Sequence, residues 1–440
     1  MNKNILIITP FFPPQTHAAV FRAYKLVKYL KREGWNPVVL TVDTNYIYQE
    51  DATLLDDIAG VPVYRANYIE PTVRGLKKKL FGIDTSYKAM LAKRQAAHTG
   101  AHALPPMTNA TGESHSWSHR FYNYMLKRWV QVPDRFVGWY PFALRMARRI
   151  IRERDISIIY TTCLPFTCNK LGIALRKKMD VKWVADFRDP ITYAKRMYSD
   201  YLPVFMRQKR IEQQTFEYAD AVVGLSSAYL HIFNDLFSGK YDHKCHFIPT
   251  GVDDDYIPNE EISKENYLIF VGEYLREYKD AFLKLLRECV NRGNDIKLKV
   301  VGNKDINEGV MRPIIEDLHL SGHVEFVGHK PQKELYRLIK AAKAAVLIPG
   351  KQALWWTNFA KMVDYIGLQV PVIALVPDIS EARSELQKAG LGIFIKDDEA
   401  ETISQFLNGK GATSEARPDY CTRYLASSQA LSFIQIFENL

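Results

Sequence analysis

The residues best suited to chemistry lie late in the chain, at Gly350-Lys-Gln-Ala-Leu-Trp-Trp-Thr-Asn-Phe-Ala-Lys-Met-Val-Asp-Tyr-Ile-Gly-Leu-Gln-Val-Pro371. An apolar strand ending at Pro349 runs into this loop, and Thr357 or Asn358 stands where a helix N-cap belongs. The free amides and positive dipole end of such a helix suit a diphosphate. Lys361, in the first turn or so, adds a cation. Asp364 follows three residues later on the same helix face, where its carboxylate can meet sugar hydroxyls. The same spacing also permits a plain Lys361–Asp364 ion pair on a helix surface.

A second cluster closes a buried strand at Trp183-Val-Ala-Asp-Phe-Arg-Asp-Pro190. In an open parallel sheet the carboxyl ends of the strands border the ligand crevice. A carboxylate such as Asp189, with Arg188 beside it, could orient an acceptor hydroxyl or act as a base there. The alternative is an Asp186–Arg188–Asp189 network that merely fixes the loop. The first strand is followed by Thr9-Pro-Phe-Phe-Pro-Pro-Gln-Thr-His-Ala-Ala-Val20, a loop without glycine. A dinucleotide fingerprint needs glycines at this point so that backbone can approach a pyrophosphate, which argues against a dehydrogenase. His17 and Arg22 are then either acceptor-facing or ordinary surface polar residues. The run Asp253-Asp254-Asp255 invites a metal reading, but consecutive side chains diverge while Mg²⁺ needs convergent oxygens. Linker solvation is the expectation, and no metal site is assigned.

These residues must be carried by something regular. Short apolar runs alternate with helical patterns from end to end, which predicts parallel sheets covered by helices. The first half offers strands at 5–9, 37–42, 61–66, 156–160, 182–187 and 221–225. The helix after the first strand places Val20, Ala23, Val27 and Leu30 on one face, and Gly34 stops it. The second half offers strands at 267–272, 297–302, 324–328, 345–349, 371–375 and 392–395. Between the halves lies the polar stretch Pro249-Thr-Gly-Val-Asp-Asp-Asp-Tyr-Ile-Pro258. The expected organisation is therefore an N-terminal domain over 1–250, a C-terminal domain over 251–425 and a final helix over 426–440 that packs back on the first. Residues 72–139 break the rhythm and read as an irregular basic insertion.

The chain has 440 residues with 47% hydrophobic and 25% charged content, ordinary for a globular protein of two domains. No apolar run approaches the roughly 18 residues that span a bilayer. The apolar start at 5–8 is shorter than a signal-peptide core, and the five scattered cysteines lack metal-ligand spacing. A reducing cytoplasm is the expected compartment. The net charge of +10 is uneven: residues 71–150 hold 14 Lys or Arg against 3 Asp or Glu. That excess is either a solvated basic face or an attraction to anionic membrane or a phosphate-bearing acceptor. Nucleic acid is not expected, since no binding motif accompanies the charge.

Taken in order, the motifs resemble the family 4-like glycosyltransferases of the GT-B fold, of the bacterial surface-polysaccharide type. The likeness runs through the opening strand, Phe-Pro-Pro loop and Arg-Ala-Tyr-Lys-Leu helix. It continues in Val132-Pro-Asp-Arg-Phe-Val-Gly-Trp-Tyr-Pro-Phe-Ala143, Ala185-Asp-Phe-Arg-Asp-Pro190 and Tyr218-Ala-Asp-Ala-Val-Val-Gly-Leu-Ser226. Phe247-Ile-Pro-Thr-Gly-Val-Asp253, Phe270-Val-Gly272, His323-Val-Glu-Phe-Val-Gly-His329 and Lys361-Met-Val-Asp-Tyr365 complete it. The resemblance implies an α/β architecture of two Rossmann-like domains facing each other across a cleft. It implies a nucleotide-sugar, which is a substrate and not a cofactor, on the C-terminal domain, and a glycan or lipid-linked acceptor on the N-terminal one. Phosphate contacts are implied for Asn358, Lys361 and basic residues near Gly272, and backbone around Val327 and His329 for the base. Retention of configuration without a metal is implied as well. The chain departs from the family at three places. Asp364 replaces the second of two spaced glutamates and Trp356 the first. Glu273 stands where an Arg is usual, leaving that contact to Arg276 or Lys279, and Asn169 stands, on the acceptor side, where relatives carry a His. An inactive scaffold and a sugar-nucleotide epimerase on the same fold are the alternative readings.

Overall fold

The computed structural model describes residues 2–15, 19–43, 51–72, 121, 124–190, 192–194, 201–278, 280–348, 355–395, 400–410 and 415–440. Two compact units emerge. One comprises Met1–Gly224, Ile232–His246 and Ile434–Leu440, the other Leu225–His231 and Phe247–Phe433.

The first unit is built on β1 (Asn4–Ile8), β2 (Asn36–Val42), β3 (Val63–Ala66), β4 (Ile158–Cys163), β5 (Lys182–Phe187), β6 (Ala221–Gly224) and β7 (Cys245–Phe247). They form one sheet in the order β3-β2-β1-β4-β5-β6-β7. Every expected strand of this half is present, while the short edge strand β7 carries too little pattern to be read. β1 pairs in parallel with both β2 and β4, and its residues Ile5–Ile8 are wholly buried. Burial on both sheet faces is why these strands read as continuous apolar runs. The helices are α1 (Val20–Arg32), α2 (Tyr140–Glu153), α3 (Phe166–Arg176), α4 (Leu202–Tyr218) and α5 (Ser227–Phe237). α1 ends as its sequence implies, with Gly34 at φ +75°. Of the insertion expected at 72–139, most lies outside the described residues. Its described end is helical, with a wide turn at Leu126–Val130 and a tight one at Arg135–Gly138.

The second unit is built on β8 (Glu265–Val271), β9 (Lys297–Val301), β10 (Val324–Phe326), β11 (Ala342–Leu347), β12 (Val372–Ala374) and β13 (Gly392–Phe394). Their order is β10-β9-β8-β11-β12-β13, with all neighbours parallel. The helices are α6 (Ala281–Asn291), α7 (Lys304–Asp317), α8 (Gln332–Ala341), α9 (Ala360–Gly367), α10 (Glu381–Ala389), α11 (Ala400–Leu407) and α12 (Ala426–Glu438), whose residues from Ile434 on belong to the first unit. One face of the sheet is covered by Tyr336, Ile339, Met362, Tyr365 and Leu386, the other by Phe282, Leu286, Met311 and Ile403. Each such side chain contributes roughly 1.5–3 kcal/mol by leaving water. Both sheets change winding direction beside their first strand, at β1/β4 and β8/β11. Ligand crevices of doubly wound sheets open beyond the carboxyl ends at such points.

The acidic run corrects the expectation of a solvated linker. Asp253 is fully buried and its side chain accepts from Asp255 N at 3.3 Å. Asp254 accepts from Ser427 N at 3.0 Å and Ser427 Oγ at 2.5 Å, so it caps the start of α12. Asp254's partner stands 173 residues along the chain, beyond what spacing reveals. At the other end of α12, Phe437 packs on Trp35 with ring centroids 5.3 Å apart.

Candidate functional site

The carboxyl ends of β8, β9 and β10 each run into a glycine with positive φ: Gly272 at +115°, Gly302 at +158° and Gly328 at +79°. Gly302 N donates to Gly328 O at 3.2 Å and Gly272 N to Val301 O at 2.8 Å, drawing the three turns together. A Cβ on Gly302 would sit 2.4 Å from Gly272 O, a backbone atom that cannot swing aside. Asn307, buried on α7, clasps the first turn: its Oδ1 accepts from Tyr274 N at 2.7 Å and its Nδ2 donates to Gly272 O at 3.0 Å. Asn303 caps α7 by accepting from Ile306 N at 3.2 Å.

Together these turns shape a cavity of about 480 Å³ lined by Gly272, Glu273, Gly302, Asn303, Lys304 and His329. Gly272 and Gly302 carry no side chain into it, so backbone can be approached closely there. Glu273 and His329 are exposed in it, while Val327 lies half-buried one residue before Gly328 with its N donating to Val300 O at 2.9 Å. Arg276 is exposed on the turn Arg276–Tyr278, and Lys279 lies outside the described residues.

Beside this cavity stands Lys361, the second residue of α9. Its Nζ lies 4.4 Å over the Phe270 ring, and a Cβ on Gly272 would come within 4.0 Å of it. Among the described residues no hydrogen bond or ion pair holds Lys361. Burial pushes its ammonium down to about 8. A partly desolvated cation resting on a ring face gains from an incoming anion. The helix itself begins one residue later than its sequence implies. Phe359 holds the N-cap position and no side chain caps the amides. Asn358 does not cap because its Nδ2 donates to Leu225 O at 3.2 Å.

Lys361 and Asp364 do not pair. Asp364 turns toward α8, where its Oδ1 accepts from Tyr336 Oη at 3.3 Å, and Tyr336 in turn accepts from Gln332 Nε2 at 2.6 Å. Trp356 is buried and meets Trp355 edge-on, centroids 5.8 Å apart, so the usual first carboxylate is replaced by apolar packing.

In the first unit the crevice at β1/β4 is organised by a buried ion pair. Arg22 Nε and an Nη group reach Asp186 at 2.7 and 2.8 Å, a bidentate fork, and Tyr160 Oη donates to the same carboxylate. Both charges are shut from water. This corrects two expectations: Arg22 is neither acceptor-facing nor a surface residue, and Asp186 pairs with Arg22 and not with Arg188. Asn169 is also corrected. It is fully buried between α3 and α4, donating to Thr215 Oγ1 at 3.0 Å. Arg188 and Asp189 remain half-buried beyond β5, with Arg188 N donating to Cys163 O at 2.8 Å. His17 lies outside the described residues. Asp134, from the sequence motif at 132–143, holds the start of α3 by accepting from Thr167 N and Oγ1, both at 2.8 Å.

Sequence reasoning passed over Gly302, Asn303, Lys304 and Asn307. The signal was present: a glycine directly after a strand, then an Asn–Lys pair opening a helical pattern.

Two family models match this chain, Glycosyltransferase Family 4 at residues 108–256 and Glycosyl transferases group 1 at residues 253–352. Together they cover 245 of its 440 residues, more than half. The chain belongs to the family 4-like glycosyltransferases of the GT-B fold. Solved structures agree on the fold along nearly the whole length. Anabaena HepE, in complex with UDP-glucose, is 12% identical with a TM-score of 0.58, covering 99% of this chain and 100% of that one. The lipopolysaccharide outer core galactosyltransferase WaaB is 13% identical with a TM-score of 0.57, covering 99% and 100%. Sucrose-phosphate synthase from Thermosynechococcus elongatus is 12% identical with a TM-score of 0.56, covering 99% and 98%. No curated protein matches the chain in sequence.

Proposed function

We propose that this glycosyltransferase takes its sugar from a nucleoside diphosphate sugar held by the second unit and passes it to a glycan or lipid-linked acceptor. The observation that carries the reading is Lys361. A desolvated ammonium without a carboxylate partner among the described residues stands at an uncapped helix start, beside the cavity at the glycine turns. The nucleoside lies along Gly302, Val327 and His329, and the diphosphate reaches the α9 amides, Lys361 and the basic turn at Arg276. As the glycosidic bond breaks, the negative charge growing on the β-phosphate is offset by Lys361 and the helix dipole. This arrangement supports a reaction that needs no metal and no cofactor. Asp364 offers a carboxylate for donor hydroxyls, and Asp189 and Arg188 serve the acceptor side. We assign retention of the anomeric configuration, a cytoplasmic location at the inner membrane face, and a role in bacterial surface polysaccharide assembly. The UDP-glucose held by Anabaena HepE makes uridine nucleotides the first to try.

A second reading, a GT-B shell that binds without turnover, is favoured by one observation, the buried Trp356 in place of a carboxylate. Melting curves with uridine, guanosine, adenosine and thymidine diphosphates and their sugars separate the readings. The transferase reading expects one base to raise the melting point and its sugar to be consumed once an acceptor extract is added. Stabilisation without consumption of any sugar favours the shell, and no stabilisation by any nucleotide refutes the donor site.

A further inference from the structure

Several of the large exposed apolar side chains among the described residues gather in one place. Trp129 is 66% exposed, and it stands with Val130 on the turn Leu126–Val130, while Leu126 of the same turn is buried. Leu202, also 66% exposed, and Met206, 54% exposed, lie one turn apart at the start of α4. The two groups meet: the rings of Trp129 and Tyr201 are 6.0 Å apart, and the Arg128 guanidinium lies 4.7 Å over Tyr201. A soluble surface has no reason to gather an indole, a leucine and a methionine in one place and leave them wet.

The neighbourhood of this patch is cationic. Tyr140, which opens α2, is covered by the Lys170 ammonium at 4.3 Å. Lys170 is lowered by burial and by the nearby charge of Arg207, the residue after Met206. The start of α2 therefore neighbours Lys170 and Arg207. The helix buries Ala143, Ala147, Ile150 and Ile151 and turns Arg145, Arg148, Arg149 and Arg152 outward along an open depression of about 690 Å³. Among the described residues only Arg149 has an acidic partner on this row, Glu153 at 2.7 Å. Like charges at helical spacing repel each other by a few tenths of a kcal/mol per pair, so the row is stabilised by an external anion.

We propose that this face of the first unit docks on an anionic bilayer, with Trp129, Leu202 and Met206 entering the headgroup boundary and the α2 arginines resting on acidic headgroups. This deepens the membrane-side reading above and rests on it for its purpose, but not for its geometry. Indole rings favour the interface because one edge is apolar and the other wet. Arginine supplies forks that match phosphate oxygens. No helix among the described residues is long and apolar enough to cross a membrane, so attachment of this kind would be peripheral.

Vesicle sedimentation with the full chain tests it. Wild type should pellet with vesicles containing about a third phosphatidylglycerol and stay in solution with pure phosphatidylcholine. Near the surface each basic residue contributes about a fivefold factor. Arg145→Gln with Arg148→Gln should therefore weaken binding about 25-fold, and high salt should weaken wild type alike. Trp129→Ser with Leu202→Ser should weaken it at least tenfold at unchanged charge. Trp129→Phe should lose the fluorescence quenching that brominated lipids cause in wild type. Each variant should retain wild-type melting and nucleotide stabilisation, which separates loss of docking from loss of the donor site. Equal binding to both vesicle types, no binding to either, or undiminished binding by Trp129→Ser with Leu202→Ser would overturn the proposal. So would self-association that the same substitutions abolish, since the face would then join two copies of this chain.

Discussion

Replacing Lys361 by Met isolates the charge from the stem that covers Phe270. Burial holds the ammonium at about 8 against an ordinary 10.5, so the folded state disfavours the charged form. The sign follows. The penalty is fully present below about 8 and fades as pH rises from there toward 10.5, because in that window the unfolded chain binds more protons. The full difference corresponds to about 3 kcal/mol, and the half-buried side chain keeps about half of that once water is counted, about 1–2 kcal/mol. Lys361→Met should therefore melt a few degrees above wild type at pH 7 without ligand, and the gap should close by pH 10. With nucleoside diphosphate the order reverses. A hydrogen bond to a charged group is worth about 1.5–3 kcal/mol, so the variant should bind roughly 10- to 100-fold more weakly. Wild-type affinity should also fall by up to about tenfold per pH unit above 8 while the variant's stays flat. Calorimetry at pH 7 to 9 measures both effects. Equal affinity of the two proteins, or the same pH dependence in both, would refute the reasoning, because the ammonium would then not face the diphosphate.

Two further outcomes concern the first unit. Asp186→Asn should destabilise it by about 3–5 kcal/mol in urea, since the buried Arg22 guanidinium would lose the carboxylate it forks; a loss under 1 kcal/mol would mean that the pair is solvated. Glu212 is buried against Thr192, and burial raises its carboxyl to about 7. An acid raised in the folded state costs stability as pH climbs from 4.5 to 7, so Glu212→Gln should gain up to about 3 kcal/mol over wild type at pH 8 and little at pH 5. The same gain at both values, by melting, would show that Glu212 titrates normally.

Much of this architecture was legible along the chain. Twelve expected strands occupy the two sheets, because parallel strands buried on both faces must be apolar throughout and glycine must follow where the backbone turns left-handed. The type and place of Lys361 were legible for the same local reason, a strand followed by a helix start. What each polar group faces was not. Spacing put Lys361 and Asp364 on one helix face, yet the pair parts, Lys361 to Phe270 and Asp364 to Tyr336. Arg22 and Asn169 looked like groups free to meet a ligand, and both are spent inside the unit, on Asp186 and Thr215. Asp253 and Asp254 looked like solvent-facing charge and instead support a turn and cap α12. Periodicity reports which residues leave water together, because burial of apolar surface repeats with the helix or strand. A hydrogen bond or ion pair depends on one partner at one distance, here 164 residues away for Arg22 and 173 for Asp254, and only the packed chain brings that partner within reach.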